Sequence, residues 1–304
     1  MSRQLLIPLL LVLAGCTGTT INSGPATSAP EKSGSGKSTA AEGATPKSSP
    51  KDSGPRGPEQ LQALIADLRD PDDARRVRAA KELRQWGKAA EAAARPLAAV
   101  IATPGAEPRE AALEALAAIF PDLAADLHAL VADEDPATRI AAEKHLAGRA
   151  PEAGKPHPAT PFVPIIDWRI AGLPTEARKP NVGYALAGEE YAALVPLLLK
   201  AGIDPEGFKA IVACAKVNPE GGKALWEPAQ LTLCELAKDA ALRKEALTAL
   251  DSSLSSRTSV ATLRAVGDLG ADAKSLAPLL ETLTADRDEN VRKAAAEALK
   301  KVKG

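Results

Sequence analysis

At 304 residues and 31.4 kDa, with a formal charge of -1 and a pI near 6.4, the chain carries no global basic field, which excludes nucleic acid as the default partner. Only 3% of the residues are aromatic, so any core is built from Leu, Ala, Val and Ile, a palette that suits close-packed helices. The three histidines, His128, His145 and His157, share no i, i+4 spacing and adjoin no cysteine cluster, so a metal site has little support.

The chain begins with Arg3, an apolar run from Leu5 to Leu13 interrupted by Pro8, and then Leu13-Ala14-Gly15-Cys16. The run is shorter than the roughly 20 residues that span a bilayer, so residues 1–15 read as a signal peptide and not as a transmembrane helix. Leu-Ala-Gly-Cys after such a run resembles the lipobox of bacterial lipoproteins. The resemblance implies cleavage before Cys16, acylation of Cys16 and attachment to a membrane of the bacterial cell envelope, at the outer membrane or its periplasmic face. An ordinary secretory signal followed by a chance cysteine is the alternative. Residues 16–57 are Ser, Gly, Pro and Ala with scattered charge, and Ile21 is their only branched aliphatic. Such a segment cannot bury enough surface to offset its ordering entropy, so a disordered tether is expected. Gly36-Lys37-Ser38 mimics the end of a phosphate-binding loop, but Glu31 stands where the first glycine is needed.

From Pro58 a helical pattern recurs. An arginine, an alanine three residues on and a leucine seven on appear as Arg76, Ala79, Leu83; Arg109, Ala112, Leu116; Arg139, Ala142, Leu146; Arg243, Ala246, Leu250; and Arg292, Ala295, Leu299. The first three arginines stand 33 and 30 residues apart, the length of one helix pair. Acidic turns precede several of them, at Asp70-Pro71-Asp72, Asp133-Glu134-Asp135-Pro136 and Asp286-Arg287-Asp288, where an Asp caps the second helix. Arg95-Pro96-Leu97, Val195-Pro196-Leu197 and Ala277-Pro278-Leu279 read as the opening turns of first helices. The clearest unit is Ser275 to Lys303, with Leu276, Leu279, Leu280 and Leu283 on one stripe and Val291, Ala294, Ala295, Ala298, Leu299 and Val302 on the next. On these residues the chain resembles a HEAT-repeat protein of the short kind found in phycobilisome lyases, over Pro58 to Ala150 and Lys274 to Lys303, and more loosely over Glu189 to Asp272. The expected fold is therefore all-α, an α-solenoid of stacked antiparallel helix pairs. The repeated arginines invite two readings, an anion-binding ladder or a structural Asp and Arg ladder between neighbouring repeats; their position beside acidic turns favours the second.

Residues 58–150 and 189–304 hold the repeats, and residues 151–188 interrupt them. Pro151, Pro156, Pro158, Pro161, Pro164, Pro174 and Pro180 argue against a long helix there, while Phe162, Ile165, Ile166 and Trp168 argue for burial. An irregular strap is expected, with a loop offering Trp168 and Arg169 to a ligand as the alternative. Beyond it, helices are expected near 191–200, 205–217, 227–238, 240–254 and 258–269, with Asp204-Pro205 and Glu227-Pro228 as helix starts.

No catalytic constellation emerges, and neither a cofactor nor a small-molecule substrate is expected. Cys214 and Cys234 fall on predicted helices, either as free buried thiols or as a disulfide. The leading expectation is a non-enzymatic, lipid-anchored scaffold whose concave face of second helices, carrying Lys81, Glu110, Glu114, Lys144, Glu245 and Glu297, binds a protein or peptide. The alternatives are a lyase-like enzyme or chromophore carrier, as the family resemblance implies, and a purely structural envelope lipoprotein.

Overall fold

A computed structural model describes residues 57–179, 183–217 and 222–304. The expected signal peptide, the expected acylation site Cys16 and all but the last residue of the expected tether lie outside them. Where the 3.6-residue stripes predict helices, helices form, and no strand occurs among the described residues. In chain order they are α1 (Pro58–Asp67), α2 (Asp73–Trp86), α3 (Ala94–Ala102), α4 (Ala106–Ile119), α5 (Ala124–Ala132), α6 (Pro136–Gly148), α7 (Val163–Glu176), α8 (Tyr184–Ala201), α9 (Pro205–Ala215), α10 (Lys223–Leu236), α11 (Arg243–Leu254), α12 (Val260–Asp268), α13 (Ala277–Leu283) and α14 (Glu289–Lys303).

Even-numbered helices pack in two runs, α2 on α4, and α6, α8, α10, α12 and α14 each on the next. In the other row α3 packs on α7 and α7 on α9, while α5 sits between α4 and α6. Apart from α3 on α7, each helix packs on sequence-near helices, the arrangement of an all-α solenoid. The seam is leucine and alanine: Leu83, Leu97, Leu116, Leu127, Leu194, Leu233, Leu250 and Leu280 are all fully buried, each contributing roughly 1.5 to 3 kcal/mol. Small residues bring backbones together. A Cβ on Gly188 of α8 would overlap the Ala224 carbonyl of α10, and one on Gly267 of α12 would lie 3.0 Å from Ala298 Cα of α14.

The turns repeat in atomic detail. Asp70 accepts a hydrogen bond from the Asp72 N–H at 2.9 Å, Asp133 from Asp135 at 2.9 Å and Asp286 from Asp288 at 2.8 Å. In each turn the second aspartate caps the helix that follows, accepting from Ala74, Ala137 or Asn290. The arginine one turn later folds back on the closing carbonyls of the preceding helix and turn. Arg76 donates to the Asp70 and Pro71 carbonyls at 2.8 and 3.2 Å, Arg139 to those of Asp133 and Glu134 at 2.9 and 3.0 Å, and Arg292 to those of Asp286 and Arg287 at 2.8 and 2.9 Å. Arg243 does the same at Ala237 and Lys238, and Arg109 at Ile101 and Thr103. The expected ladder between repeats is thus chiefly a clamp within each unit, because orphan carbonyls at a helix end lie closer than the next unit's acids.

Three expectations are corrected. The stretch 151–188 is not irregular throughout, since Val163–Glu176 is a 14-residue helix. Proline tolerates it because Pro161 and Pro164 stand before or within its opening turn, where no N–H is required, and Pro174 is close to its end. The Ile170 carbonyl, left without its helical donor by Pro174, receives the Cys214 thiol of α9 at 3.5 Å. Pro196 and Pro228 likewise lie inside α8 and α10 and do not start them. Finally α11, despite its Arg243 spacing, packs against α10 and the 3-10 turn Gly270–Leu276 while the even row runs on from α10 to α12.

Candidate binding cleft

The start of α9 sets the geometry. Asp204 caps it, accepting from the N–H groups of Glu206 and Gly207 at 3.0 and 3.1 Å, with Pro205 in the first turn. Gly207 carries no side chain, and a Cβ there would overlap Asp167 Oδ1 of α7. This leaves the Asp167 carboxyl, only 5% exposed, pressed against the α9 terminus beside Asp204. From α3, Arg95 reaches Asp204 at 2.8 Å.

These side chains line an open cleft of about 720 Å³ between the α1–α2 turn, α3, α7 and the start of α9. Its walls are apolar, from Leu68, Pro96, Ala99, Val100, Pro164 and Ala171, and its charges are grouped. Arg76 is committed to the turn carbonyls and to Asp73, Asp70 accepts from Arg75 at 3.0 Å, and Glu206 accepts from Lys209 at 2.6 Å. No hydrogen-bond donor among the described residues reaches either oxygen of Asp167. Burial, then the facing Asp204, and Glu206 push its pKa up to about 8 against the pull of Arg95, so near neutrality it is a protonated acid whose proton faces Asp204. Burial alone would raise Asp204 as well, but the Gly207 N–H, the Asp167 proton, the Glu206 N–H and Arg95 together hold it below the ordinary carboxylate value.

Trp168 and Arg169, expected on a loop, stand on α7. Trp168 is half-buried against the core and lines the cleft, with Arg109 4.9 Å and Arg169 5.5 Å from its ring centroid. Arg169 is 5% exposed and turned inward, ion-paired with Glu176 at 3.1 Å and with Glu190. It belongs to a closed cluster in which Arg139 of α6 grips Glu190 of α8 through two bonds of 2.9 and 2.8 Å. Glu143 in the same cluster is fully buried with no partner for either oxygen, and burial, then Glu190, push its pKa up to about 9 against Arg169 and Arg139.

The six residues of the expected concave face are spread over α2, α4, α6, α11 and α14. Lys81, Glu110, Lys144, Glu245 and Glu297 are exposed; Glu114 is half-buried and pairs with Arg84 at 2.6 Å. Glu245 lines a separate groove with Phe208, Val212 and Lys244 between α9 and α11, away from the even row. Cys214 and Cys234 are free and buried; burial pushes the first thiol far above its ordinary value and the second up to about 12. The cleft residues escaped the sequence reading because Arg95, Asp167 and Asp204 stand far apart in the chain. Only the Asp204-Pro205 cap was visible there.

No family model matches the chain, and no curated protein matches it. Among solved structures it is similar to an engineered protein from the Northeast Structural Genomics Consortium, with 18% identity over 80% of this chain and 96% of that one and a TM-score of 0.22.

Proposed function

We propose that the chain is a membrane-anchored scaffold of the bacterial cell envelope, built from short HEAT-like repeats, that engages a protein or peptide through the cleft between α3, α7 and α9. The observation that carries this reading is the cleft itself, which combines apolar walls with charged side chains brought together from the α1–α2 turn, α3 and the start of α9. An all-α stack offers extended contact surfaces, and a tether behind an acylated Cys16 gives such a surface reach from the membrane. A lyase-like or carrier role needs a reactive thiol, and both described cysteines are enclosed and held protonated. A purely structural lipoprotein has no use for an open cleft with apolar walls.

A photo-crosslinking residue placed at exposed Ala99 or Ala171 inside the cleft, in cells, tests this against the same residue at Lys81 or Lys144. A discrete adduct from the cleft positions is expected. Equal adducts from all four positions, or none, would remove the cleft as the contact surface. Palmitate labelling lost in Cys16→Ala checks the anchor.

A further inference from the structure

Helices α7 and α9 pack directly on one another, but beyond α9 the pattern changes: α9 and α11 both pack on α10, and an open groove of about 540 Å³ runs between them. Each helix turns one stripe toward it. Phe208, Val212 and Lys216 stand four residues apart along α9 and its C-cap, and Glu245, Thr248, Ala249 and Ser252 follow the i, i+3, i+4, i+7 pattern on α11. At 1.5 Å per residue each wall runs about 12 Å, the length of two helical turns. The apolar contacts on offer are half-buried Phe208 and Val212 with buried Ala249.

The charge of the groove is one-sided, with Lys209, Lys216 and Lys244 against Glu245. Among the described residues the one ion pair made by α11 is Arg243 with Asp272 at 3.0 Å, outside this groove, so Lys244 keeps its charge for a partner. Lys209 pairs with Glu206 at 2.6 Å, but both side chains are well exposed, and such a pair contributes little and gives way to a better acceptor. The lining therefore favours an anion. Shape decides which kind: a flat lipid surface touches convex faces, whereas a groove walled by two helices is what the apolar stripe of a third helix fills.

We infer that this groove takes an acidic amphipathic helix of a protein partner, its apolar residues at i, i+3 and i+4 seated on Phe208, Val212 and Ala249 and its carboxylates reaching Lys209 and Lys244 from either side. The surface shares no lining residue with the cleft between α3, α7 and α9 and does not depend on it.

The test uses the full chain in a non-ionic detergent and two dye-labelled, amidated peptides. One carries two copies of Glu-Leu-Ala-Glu-Leu-Leu-Ala, whose leucines form one helical stripe; the other has lysine at every glutamate. Fluorescence anisotropy is read against detergent alone. The acidic peptide is expected to bind roughly ten-fold or more tightly than the basic one, with the preference shrinking as salt is added. Lys209→Glu combined with Lys244→Glu, both at exposed positions, should invert the preference. Thr248→Trp, also exposed, should abolish binding of the acidic peptide by filling the groove. An unchanged thermal midpoint checks that each variant is folded. Equal affinity for the two peptides, a preference that survives the charge reversal, or binding untouched by Thr248→Trp overturns the inference. Anionic phosphatidylglycerol vesicles are the third probe: if the charge reversal weakens their binding and leaves the acidic peptide bound as before, the lysines serve a lipid surface and the inference falls. Crosslinks from Ala99 and Ala171 in the cleft stand or fall separately from these results.

Discussion

Glu143 and Glu190 show how the same side chain takes different charge states within one cluster. Glu190, gripped by Arg139 and Arg169, is held below the ordinary carboxylate value in spite of burial, whereas Glu143 has no donor and is pushed up to about 9. The count of charges explains it: two guanidinium groups face Glu143, Glu176 and Glu190, and one acid must stay protonated for the cluster to be neutral. Arg139→Ala leaves Arg169 as the one guanidinium for the buried acids of the cluster and should lower stability by about 3 to 5 kcal/mol in urea denaturation. Glu143→Gln removes a group that is already neutral, so it should cost less than about 1 kcal/mol at pH 7. None of this was legible in the chain, because Arg139 read as a rung of the turn ladder and Arg169 as part of a strap or loop until α6 and α7 are both seen to pack on α8. Trp168 was legible in part. Its aromatic bulk among prolines signalled packing, and Trp168→Ala should lower the thermal midpoint, by an amount corresponding to roughly 2 to 4 kcal/mol.

At the scale of the element, the turns were the most readable part of the chain. Asp70, Asp133 and Asp286 sit at matching offsets from Asp72, Asp135 and Asp288, and the sequence pattern alone predicted the caps that form. Asp72→Ala or Asp288→Ala should each cost about 1 kcal/mol by chemical denaturation, since each leaves a helix N–H without its acceptor. The prolines misled for a physical reason. Proline excludes a helix only where its missing N–H and its ring cannot be accommodated, and here Cys214 supplies a donor to the stranded Ile170 carbonyl from outside the helix. Such help from a distant element cannot be read in a local window. The same holds for Gly188, which is unremarkable in the sequence yet marks the contact of α8 with α10; Gly188→Ala should destabilise by about 1 to 3 kcal/mol, measured as a lowered midpoint in urea.

For the whole molecule, the stack was predictable and the cleft was not. Periodicity identifies which face of each helix is buried, but it does not say that α3 packs on α7, and the cleft lies where those two helices meet the α1–α2 turn and the start of α9. The buried acids give the molecule a definite pH response. Glu143 and Asp167 hold their protons to about 9 and about 8 in the folded state, well above their values in an unfolded chain, so the folded state binds more protons between roughly pH 4 and those values. Stability contributed in that window falls as pH rises, by about 1.4 kcal/mol per unit for each group. Glu190 and Asp204, held low, act in the opposite sense and lose their contribution as pH falls below about 4. Thermal midpoints should therefore peak near pH 5 and decline toward pH 9, and the decline should flatten in Glu143→Gln combined with Asp167→Asn. Iodoacetamide at neutral pH should leave Cys214 and Cys234 unmodified until the chain is unfolded.

At three turns the arginine clamp and its paired aspartates close the joint with residues drawn from a single stretch of about ten positions. A gene encoding such joints can gain or lose a whole copy by recombination without orphaning any bond in the copies left behind. The ionic knot of α6, α7 and α8 has no such freedom, for its members come from three helices at once, and length variation among descendants of this gene should accumulate on either side of that knot and spare the knot itself.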